Sequence, residues 1–234
     1  MNKKRKYEII LVILIAIVIF NITLLLTTHN EVTKSYNVTT VGSNNNGTVY
    51  KVVAGNTSSN NTIGIILGVH PREHEIHEAI NKTLHNITTN ETNNLNKKFV
   101  IYYVQTKDNI TSRDDTRLAG EKLANKFIVP NIKEDNPFIV VDVHEINPTY
   151  EYSYFIFSLS KRTDKVDSYV KEICNDVGLV DYKFSEGSSP KKVTKPIAKQ
   201  GINTLLMEVS IDDTYAQKLQ IANNFIRCLN KLEP

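Results

Sequence analysis

The chain has 234 residues, and 28 Lys and Arg against 25 Asp and Glu give a net charge of +3. This charge is small and no basic stretch is interleaved with aromatic residues, so the composition offers little support for nucleic-acid binding. The two cysteines, Cys174 and Cys228, are far apart in the sequence, which excludes a metal knuckle of the C-x-x-C type. They are either two buried thiols or a disulfide formed outside the cell.

The segment from Ile9 to Leu26 is an almost unbroken run of Ile, Leu, Val, Ala and Phe. About 20 apolar residues suffice for a helix that spans the hydrocarbon core of a membrane, so we predict a transmembrane anchor over residues 9–28. A cleaved signal peptide would have a shorter apolar region and a small-residue cleavage site, which residues 24–29 do not offer. The cations at residues 3–6 predict that the tail, residues 1–8, is cytoplasmic and that the rest lies outside.

Asn-x-Ser/Thr triplets recur between residues 37 and 111, and such sites are glycosylated only on the external side of a membrane. They agree with the predicted orientation and suggest a glycoprotein. The alternative is that an Asn-rich chain forms such triplets by chance. The acceptors are Asn37, Asn46, Asn56, Asn60, Asn81, Asn86, Asn90 and Asn109.

After the anchor, residues 29–46 are polar and lack an apolar period, which is typical of a stalk. Beyond it, apolar runs that predict strands alternate with segments of helical spacing. This alternation predicts an α/β fold over residues 47–234, a compact α/β/α sandwich around a mostly parallel, mixed sheet. The predicted strands are 48–53, 62–69, 99–104, 138–143, 154–159 and 203–209, and the predicted helices are 74–85, 114–128, 164–177 and 213–232.

Polar side chains follow or end three of the apolar strands. His70 and Glu73 come directly after the run TIGIILGV, His144 ends FIVVDV, and Glu208 lies within NTLLMEV. Active sites in such sheets form at the carboxyl ends of the strands, so we expect these four side chains to converge. An ionised carboxylate in a buried strand is costly unless it is paired, which favours a functional role for Glu208.

The four residues fit the chemistry of a catalytic zinc ion. Such an ion takes three protein ligands from His and Asp or Glu and keeps one position for water. His70 and Glu73, three residues apart, can chelate one ion together, and His144 would complete the set. Asp142 could orient an imidazole as an outer partner. Zinc lowers the pKa of bound water to about 7, and Glu208 is the candidate that carries the proton.

The same residues carry a resemblance to a known family. GVHPREH at residues 68–74 resembles the first metal motif of the zinc carboxypeptidase family, VDVH at 141–144 is similar to its second, and LLME at 205–208 resembles the strand that bears its general base. Order and spacing agree from residue 62 to about 210. The resemblance implies a zinc-dependent amide-bond hydrolase, with one zinc ion per chain and peptides or cell-envelope peptides as substrates.

The resemblance also implies roles for arginines. Arg72 would bind substrate beside the metal. Arg113 and Arg117 lie in the interval where the family has arginines that hold the substrate carboxylate or polarise the scissile carbonyl, and Arg117 is favoured for catalysis. The family often has an Asn-Arg pair here, whereas this chain has Asn125-Lys126. Lys does not reproduce the two-pronged carboxylate grip of Arg.

Several alternatives stay open at this point. The gating tyrosine of the family could be Tyr150, Tyr152, Tyr154 or Tyr182. The compact length is similar to the succinylglutamate desuccinylase and aspartoacylase branch, which would make the protein a deacylase of N-acyl amino acids. A surface binding module with a degenerate metal site is the third reading. His74 and His77 are predicted on the helix surface or as outer partners of the metal, and the KKVTK run, residues 191–195, as a solvated segment.

Overall fold

The computed structural model of the chain describes residues 34–90, 94–184 and 189–234. The predicted anchor, residues 9–28, and the basic tail before it lie outside this part. Within the described residues, no helix is both long enough and apolar enough to cross a membrane.

Eight strands form one mixed sheet. They are β1 (Lys34–Asn44), β2 (Gly47–Asn56), β3 (Thr62–Leu67), β4 (Lys98–Thr106), β5 (Pro137–Ile146), β6 (Phe155–Ser158), β7 (Val180–Asp181) and β8 (Thr204–Ser210). Their order across the sheet is β1-β2-β4-β3-β5-β8-β6-β7. The four central strands, β4, β3, β5 and β8, run parallel, whereas β2 and β6 pair antiparallel with their inner neighbours. The predicted mixed α/β architecture is therefore confirmed.

Helices cover both faces of this sheet. They are α1 (His74–Thr89), α2 (Arg113–Phe127), α3 (Asp164–Val177), α4 (Lys195–Ala198) and α5 (Tyr215–Lys231), with a 3-10 helix at Ile132–Asp135 and a π-helical turn at Pro190–Thr194. One hydrophobic core lies between the sheet and α1, α3 and α5. A second core lies between the opposite face and α2, the π-helical turn and α4.

Local sequence explains where the elements begin and end. Every residue of β3 is buried, as expected of a central parallel strand covered on both faces. The hydroxyls of Ser112, Thr163 and Thr214 cap α2, α3 and α5 by accepting backbone N–H groups of the first turn, which satisfies donors that lack a partner within the helix. Gly178, with φ of 84°, ends α3 in the left-handed conformation.

The predicted stalk, residues 29–46, is wrong from residue 34 onward. Residues 34–44 form β1, which pairs antiparallel with β2 along its whole length. Because β1 is an edge strand, much of it faces solvent, and even Val38 is 55% exposed. The strand thus lacks the clean apolar face that reveals a strand in sequence, and its β-branched residues are the only local signal.

The KKVTK run, residues 191–195, is not the solvated segment that its charge predicted. Val193 and Thr194 are fully buried, and Val193 belongs to the core beneath α2. Lys191 and Lys195 are exposed. Part of the segment is therefore buried and part is exposed. The sequence does not indicate the buried part, because four of the five residues are charged or polar.

Cys174 in α3 and Cys228 in α5 are free thiols. Burial raises the pKa of Cys174 to about 11 and that of Cys228 to about 12. Both side chains are therefore protonated at neutral pH and behave as small apolar groups.

Candidate metal centre

Two glycines set the position of His70. Gly68 follows β3 with φ of 78°, and a Cβ atom there would lie 2.2 Å from the carbonyl oxygen of Val104. Gly120 in α2 lies against the same turn, since a Cβ atom at Gly120 would be 2.1 Å from the carbonyl oxygen of Val69. The missing side chain of Gly120 lets α2 contact the backbone directly before His70, and that of Gly68 lets β4 approach the same turn. The imidazole therefore lies between the end of β3 and α2, where it is close to Glu121.

His70, Glu73 and His144 meet at the carboxyl ends of β3 and β5. The Nδ1 atom of His70 is 2.9 Å from Oε1 of Glu73, and the Nδ1 atom of His144 is 2.9 Å from Oε2 of the same carboxylate. One ligand atom from each residue lies within 4.8 Å of the others. All three side chains are buried. The predicted metal ligands are therefore brought together, with both Nδ1 atoms and the carboxylate directed to one point.

Hydrogen bonding sets the charge of this group. Burial favours the neutral form of Glu73, but hydrogen bonds to His144 and His70 outweigh it and hold the Glu73 pKa well below its usual range. Burial likewise opposes protonation of His144, but Asp142 and Glu73 outweigh it and raise the His144 pKa well above its usual value. A metal ion that binds here must displace a proton from the cluster.

Glu208 faces the same cavity from β8. It is the direct partner of His144 in the register of β5 and β8, and paired residues of neighbouring parallel strands point to the same side of a sheet. Its Oε2 atom is buried and has no hydrogen-bond partner among the described residues. Burial raises the pKa of Glu208 to about 8, and the nearby Glu73 and Asp142 carboxylates add to this shift.

The cavity in front of the cluster has a volume of about 150 Å³. Arg117 lies at its wall, and its Nη1 atom donates a hydrogen bond of 2.9 Å to Oε1 of Glu73. Arg113 lines the same wall. The two predicted arginines therefore line the cavity together with the predicted ligands and Glu208. The remaining wall is partly apolar and includes Ile146, Tyr150, Phe184 and Leu206.

Each histidine ligand is backed by a carboxylate. Oδ1 of Asp142 is 3.1 Å from Nε2 of His144, where the sequence placed an outer partner, because residues two apart on a strand share a face. Oε1 of Glu121 is 3.4 Å from Nε2 of His70. Sequence reasoning missed Glu121, which is 1% exposed. In the polar run GEKLANK it resembles a solvated helix residue, and only the adjacent Gly120 signals a close approach.

His77 joins the two strands that carry the ligands. Its Nδ1 atom accepts the backbone N–H of Gly68 at 3.2 Å, and its Nε2 atom is 2.8 Å from the carbonyl oxygen of Val143. Burial lowers the pKa of His77 to about 4, so the ring is neutral. His77 is thus a buried support behind the centre, whereas His74 is on the helix surface beside Glu78.

A buried ion pair supports the centre from the other side of the sheet and was also missed. Glu145 accepts the backbone N–H of Ile76 at 2.9 Å and lies 2.9 Å from Nζ of Lys218. Lys218 is fully buried and also contacts Glu75 at 2.7 Å. The pair holds the first turn of α1 against β5 and so fixes the turn that carries Glu73.

Comparisons with known proteins identify the fold and nothing closer. No protein-family model matches the chain, and neither does any curated protein. Among solved structures, a metallo-carboxypeptidase from Burkholderia cenocepacia is 12% identical, with a TM-score of 0.57 over 87% of this chain and 66% of that one. A metallo-carboxypeptidase from Pseudomonas aeruginosa is 10% identical, with a TM-score of 0.55 over 82% and 64% of the two chains.

The chain has a metallo-carboxypeptidase fold. An aminopeptidase from Legionella pneumophila shares it at 13% identity, with a TM-score of 0.51 over 86% of this chain and 60% of that one. The chain spans 60–66% of the length of these three proteins. The resemblance seen in the metal motifs is therefore confirmed at the level of the fold, and the donor set fits a metal ion at the position where the motifs placed it.

Other residues predicted from the resemblance lie apart from the cavity. Arg72 is exposed, and its Nη2 atom donates to the carbonyl oxygen of Thr111 at 2.9 Å. Asn125 donates to the backbone of Lys192, and the Lys126 ammonium lies over the ring of Phe127. None of the three predicted residues is among the described residues that line the cavity. Substrate binding by Arg72 stays a prediction.

One of the four tyrosine candidates lines the cavity. Tyr150 lies at its mouth and contacts Phe184 edge to face, with 5.4 Å between the ring centroids. Tyr152 and Tyr182 pack on each other with ring centroids 4.6 Å apart. Tyr154 donates a hydrogen bond to Asp213. The position of Tyr150 therefore agrees with the predicted gating role, which stays a prediction.

Proposed function

We propose that the protein is a membrane-anchored, zinc-dependent amide-bond hydrolase of the carboxypeptidase type that acts outside the cell on peptides or cell-envelope peptides. The observation that carries the proposal is the convergence of His70, Glu73 and His144 beside Glu208. The four side chains lie at the carboxyl ends of the central strands, where α/β sheets place their sites.

Zinc is the metal that best suits this donor set. Two imidazoles and one carboxylate are the ligands of several catalytic zinc sites, which leave a position for water or substrate. Such sites typically have outer partners that orient the ligand imidazoles. Here the carboxylates of Asp142 and Glu121 lie behind Nε2 of His144 and His70. Bound zinc would polarise the substrate carbonyl and lower the pKa of water to about 7.

The chain's own residues supply the proton transfers and the binding of charge. Glu208, with a pKa raised to about 8, can take a proton from the attacking water and return it to the leaving amine near neutral pH. Arg117 lies beside the ligands, where its guanidinium stabilises the negative charge that develops on the carbonyl oxygen. Arg113 is free to bind an anionic group of the substrate, since no acidic partner is found for it within the described residues.

A deacylase of N-acyl amino acids is the second candidate, and the size of the cavity favours it. A volume of about 150 Å³ is below the range of about 300–1,000 Å³ of most ligand pockets. Such a space accepts one amino-acid side chain. It therefore suits a small N-acyl amino acid, whereas a peptide would place only its last residue inside it.

The location outside the cell is part of the proposal and rests on sequence. The apolar run from Ile9 to Leu26 and the cations before it support a single-pass anchor with a cytoplasmic N-terminus. None of the eight Asn acceptors is buried and five are exposed, so burial excludes modification at none of them if the domain faces outward.

Metal content and a substrate panel test the proposal together. The full chain is purified in a mild detergent, wild type beside His70→Ala, and its zinc is measured by atomic absorption. We expect about one zinc ion per wild-type chain and none in the variant.

Peptides with free or blocked C-termini are then compared with N-acyl amino acids, and faster cleavage of the acyl amino acids would select the second candidate. Folded wild-type protein that takes up no zinc from excess would instead indicate a binding module.

A further inference from the structure

A buried hydrogen-bond network lies behind His144. Oδ2 of Asp142 accepts hydrogen bonds from Ser189 Oγ at 3.1 Å and from Thr194 Oγ1 at 2.7 Å, while its Oδ1 atom is 3.1 Å from Nε2 of His144. All four residues are at most 1% exposed. The other ring nitrogen, Nδ1, points to Glu73, so the Asp142 carboxylate lies directly behind the imidazole. Its contact with Nε2 is an ion pair without hydrogen-bond geometry, and Asp142 orients the ring through its charge. The two hydroxyls in turn fix Asp142.

The carboxylate behind His70 is held in a similar way. Oε1 of Glu121 is 3.4 Å from Nε2 of His70, and Oε2 forms an ion pair with Nζ of Lys192. The Glu121 side chain is 2% exposed, whereas that of Lys192 is 44% exposed. A buried carboxylate is costly unless it is paired, so the Lys192 ammonium stabilises the charge that orients His70.

The three supporting side chains come from one segment, Ser189–Thr194. The backbone N–H of Lys195 donates to the carbonyl oxygen of Pro190, an i to i+5 bond that defines a π-helical turn. Such a turn is wider than an α-helical one and brings residues five apart, such as Ser189 and Thr194, to the same side. Both hydroxyls can therefore reach one oxygen of Asp142, while Lys192 reaches α2.

The segment is itself fixed to the fold. Asn125 of α2 donates through Nδ2 to the carbonyl oxygen of Lys192 at 2.7 Å, and Val193 is fully buried in the core beneath α2. Short π-helical turns are frequent at functional sites. Here the unusual turn has an identifiable consequence, because it directs three polar side chains to two carboxylates at the metal centre.

We propose that the segment Ser189–Thr194 positions both histidine ligands, His144 through Asp142 and His70 through Glu121. The proposal rests on the metal site proposed above and adds that metal affinity depends on residues that do not contact the ion. Lys192 and Thr194 do not line the cavity within the described part of the chain, so they are positioning residues and not catalytic ones.

The first test removes the Lys192 charge. In the full chain, Lys192→Met is compared with Lys191→Met, a matched control because Lys191 is exposed and adjacent. Zinc affinity is measured by competition with a chromophoric chelator. Loss of an outer partner typically weakens metal binding about 10–100-fold, so we expect about a 10-fold loss for Lys192→Met and less than a twofold change for the control. Lys192→Arg keeps the pair and should restore affinity.

The second test removes a buried hydroxyl while keeping its volume. Thr194→Val is compared with Thr204→Val, whose hydroxyl is equally buried but donates to the carbonyl oxygen of Ile202, away from the centre. Both variants should lose similar thermal stability in the metal-free state. Only Thr194→Val should weaken zinc binding and shift the visible absorption band of the cobalt-substituted protein, and Thr194→Ser should restore both.

The outcomes separate the two proposals. If the wild-type protein binds zinc, and Lys192→Met and Thr194→Val keep its zinc affinity and cobalt spectrum, the positioning role is overturned. The proposed function is then left intact. Absence of zinc binding in folded wild-type protein would overturn both. Because Lys192 is partly exposed, its substitution is not expected to unfold the chain, and Lys192→Met decides alone if Thr194→Val does not fold.

Discussion

In the proposed reaction, Glu208 lies where a proton carrier is needed, and its pKa suits that role. Its backbone is paired with that of His144 across two parallel strands, and burial raises its pKa to about 8. A general acid or base works best when its pKa is close to the working pH. The proposed chemistry thus depends on a carboxyl group whose pKa is set by its environment.

Replacing Glu208 tests this role. Glu208→Gln keeps the shape of the side chain but cannot exchange a proton, so we expect kcat to fall about 10²–10⁴-fold, the usual contribution of such a group. Zinc content and KM should change little, because Glu208 is not one of the three ligands. Steady-state kinetics beside the exposed-site control Glu78→Gln measures the effect. Full activity in Glu208→Gln would exclude the proposed mechanism.

His77 gives a prediction for the pH dependence of stability. Its folded-state pKa of about 4 lies below the ordinary value of 6.5 because the ring is buried. Between these two pH values the unfolded chain binds more protons than the folded chain. The contribution of His77 to the free energy of unfolding is therefore fully present above about pH 6.5 and is lost as the pH drops toward 4, by up to about 1.4 kcal/mol per pH unit. Urea unfolding of the metal-free protein at several pH values measures this slope. His77→Gln cannot titrate and should lose this part of the slope, and an identical pH dependence in both proteins would contradict it.

The predicted metal ligands could be identified from the sequence, whereas the residues that orient them could not. The reason is physical. His70, Glu73, His144 and Glu208 follow or end apolar strands, and parallel strands bring such ends to one edge of the sheet. Glu121 and Lys192 instead depend on how α2 and the π-helical turn pack on that sheet. That packing is a tertiary property. Apart from Gly120 beside Glu121, no neighbouring residue indicates the contact that either side chain makes.

At the scale of elements, the boundaries that sequence predicts well are those with a local stop or start signal. The predicted helix 164–177 matches α3, because Thr163 caps its start and Gly178 ends it. The π-helical turn and β1 were missed because neither has an apolar period. In both cases, contacts with distant parts of the chain decide the structure.

The contact between α2 and the turn before His70 yields a prediction at the same scale. In an exposed helix Gly120→Ala would stabilise by about 1 kcal/mol, but here the new Cβ atom would lie 2.1 Å from the Val69 carbonyl oxygen. Because backbone must move to relieve this clash, we expect lower stability and weaker zinc binding. Thermal unfolding and chelator competition measure the two effects.

Gly178→Ala is the control for Gly120→Ala. Gly178 also has a special role, with φ of 84°, but a Cβ atom there would meet nothing within 4 Å. The substitution should therefore cost about 1 kcal/mol of stability and leave zinc affinity unchanged. Equal zinc affinity in both variants would mean that the approach of α2 does not position His70.

At the scale of the whole molecule, the folded unit and the anchor were predicted on different grounds. The alternation of strands and helices predicted the mixed α/β sheet, since the central strands are buried on both faces and read as continuous apolar runs. The anchor rests on hydropathy and charge alone. Its prediction therefore needs a measurement that reports where the folded unit lies relative to the membrane.

Labelling of single cysteines in intact cells provides that measurement. The full chain should stay with the membrane fraction after a carbonate wash, because an apolar helix of about 20 residues inserts stably. The cations at residues 3–6 predict that the N-terminus is cytoplasmic. A membrane-impermeant maleimide should therefore label Lys191→Cys, which is exposed, and should not label Lys3→Cys. The native cysteines give little background, because Cys228 is buried and burial raises the pKa of both thiols. Labelling of Lys3→Cys alone would reverse the orientation, and recovery of the whole chain in the wash would show that residues 9–28 do not anchor it.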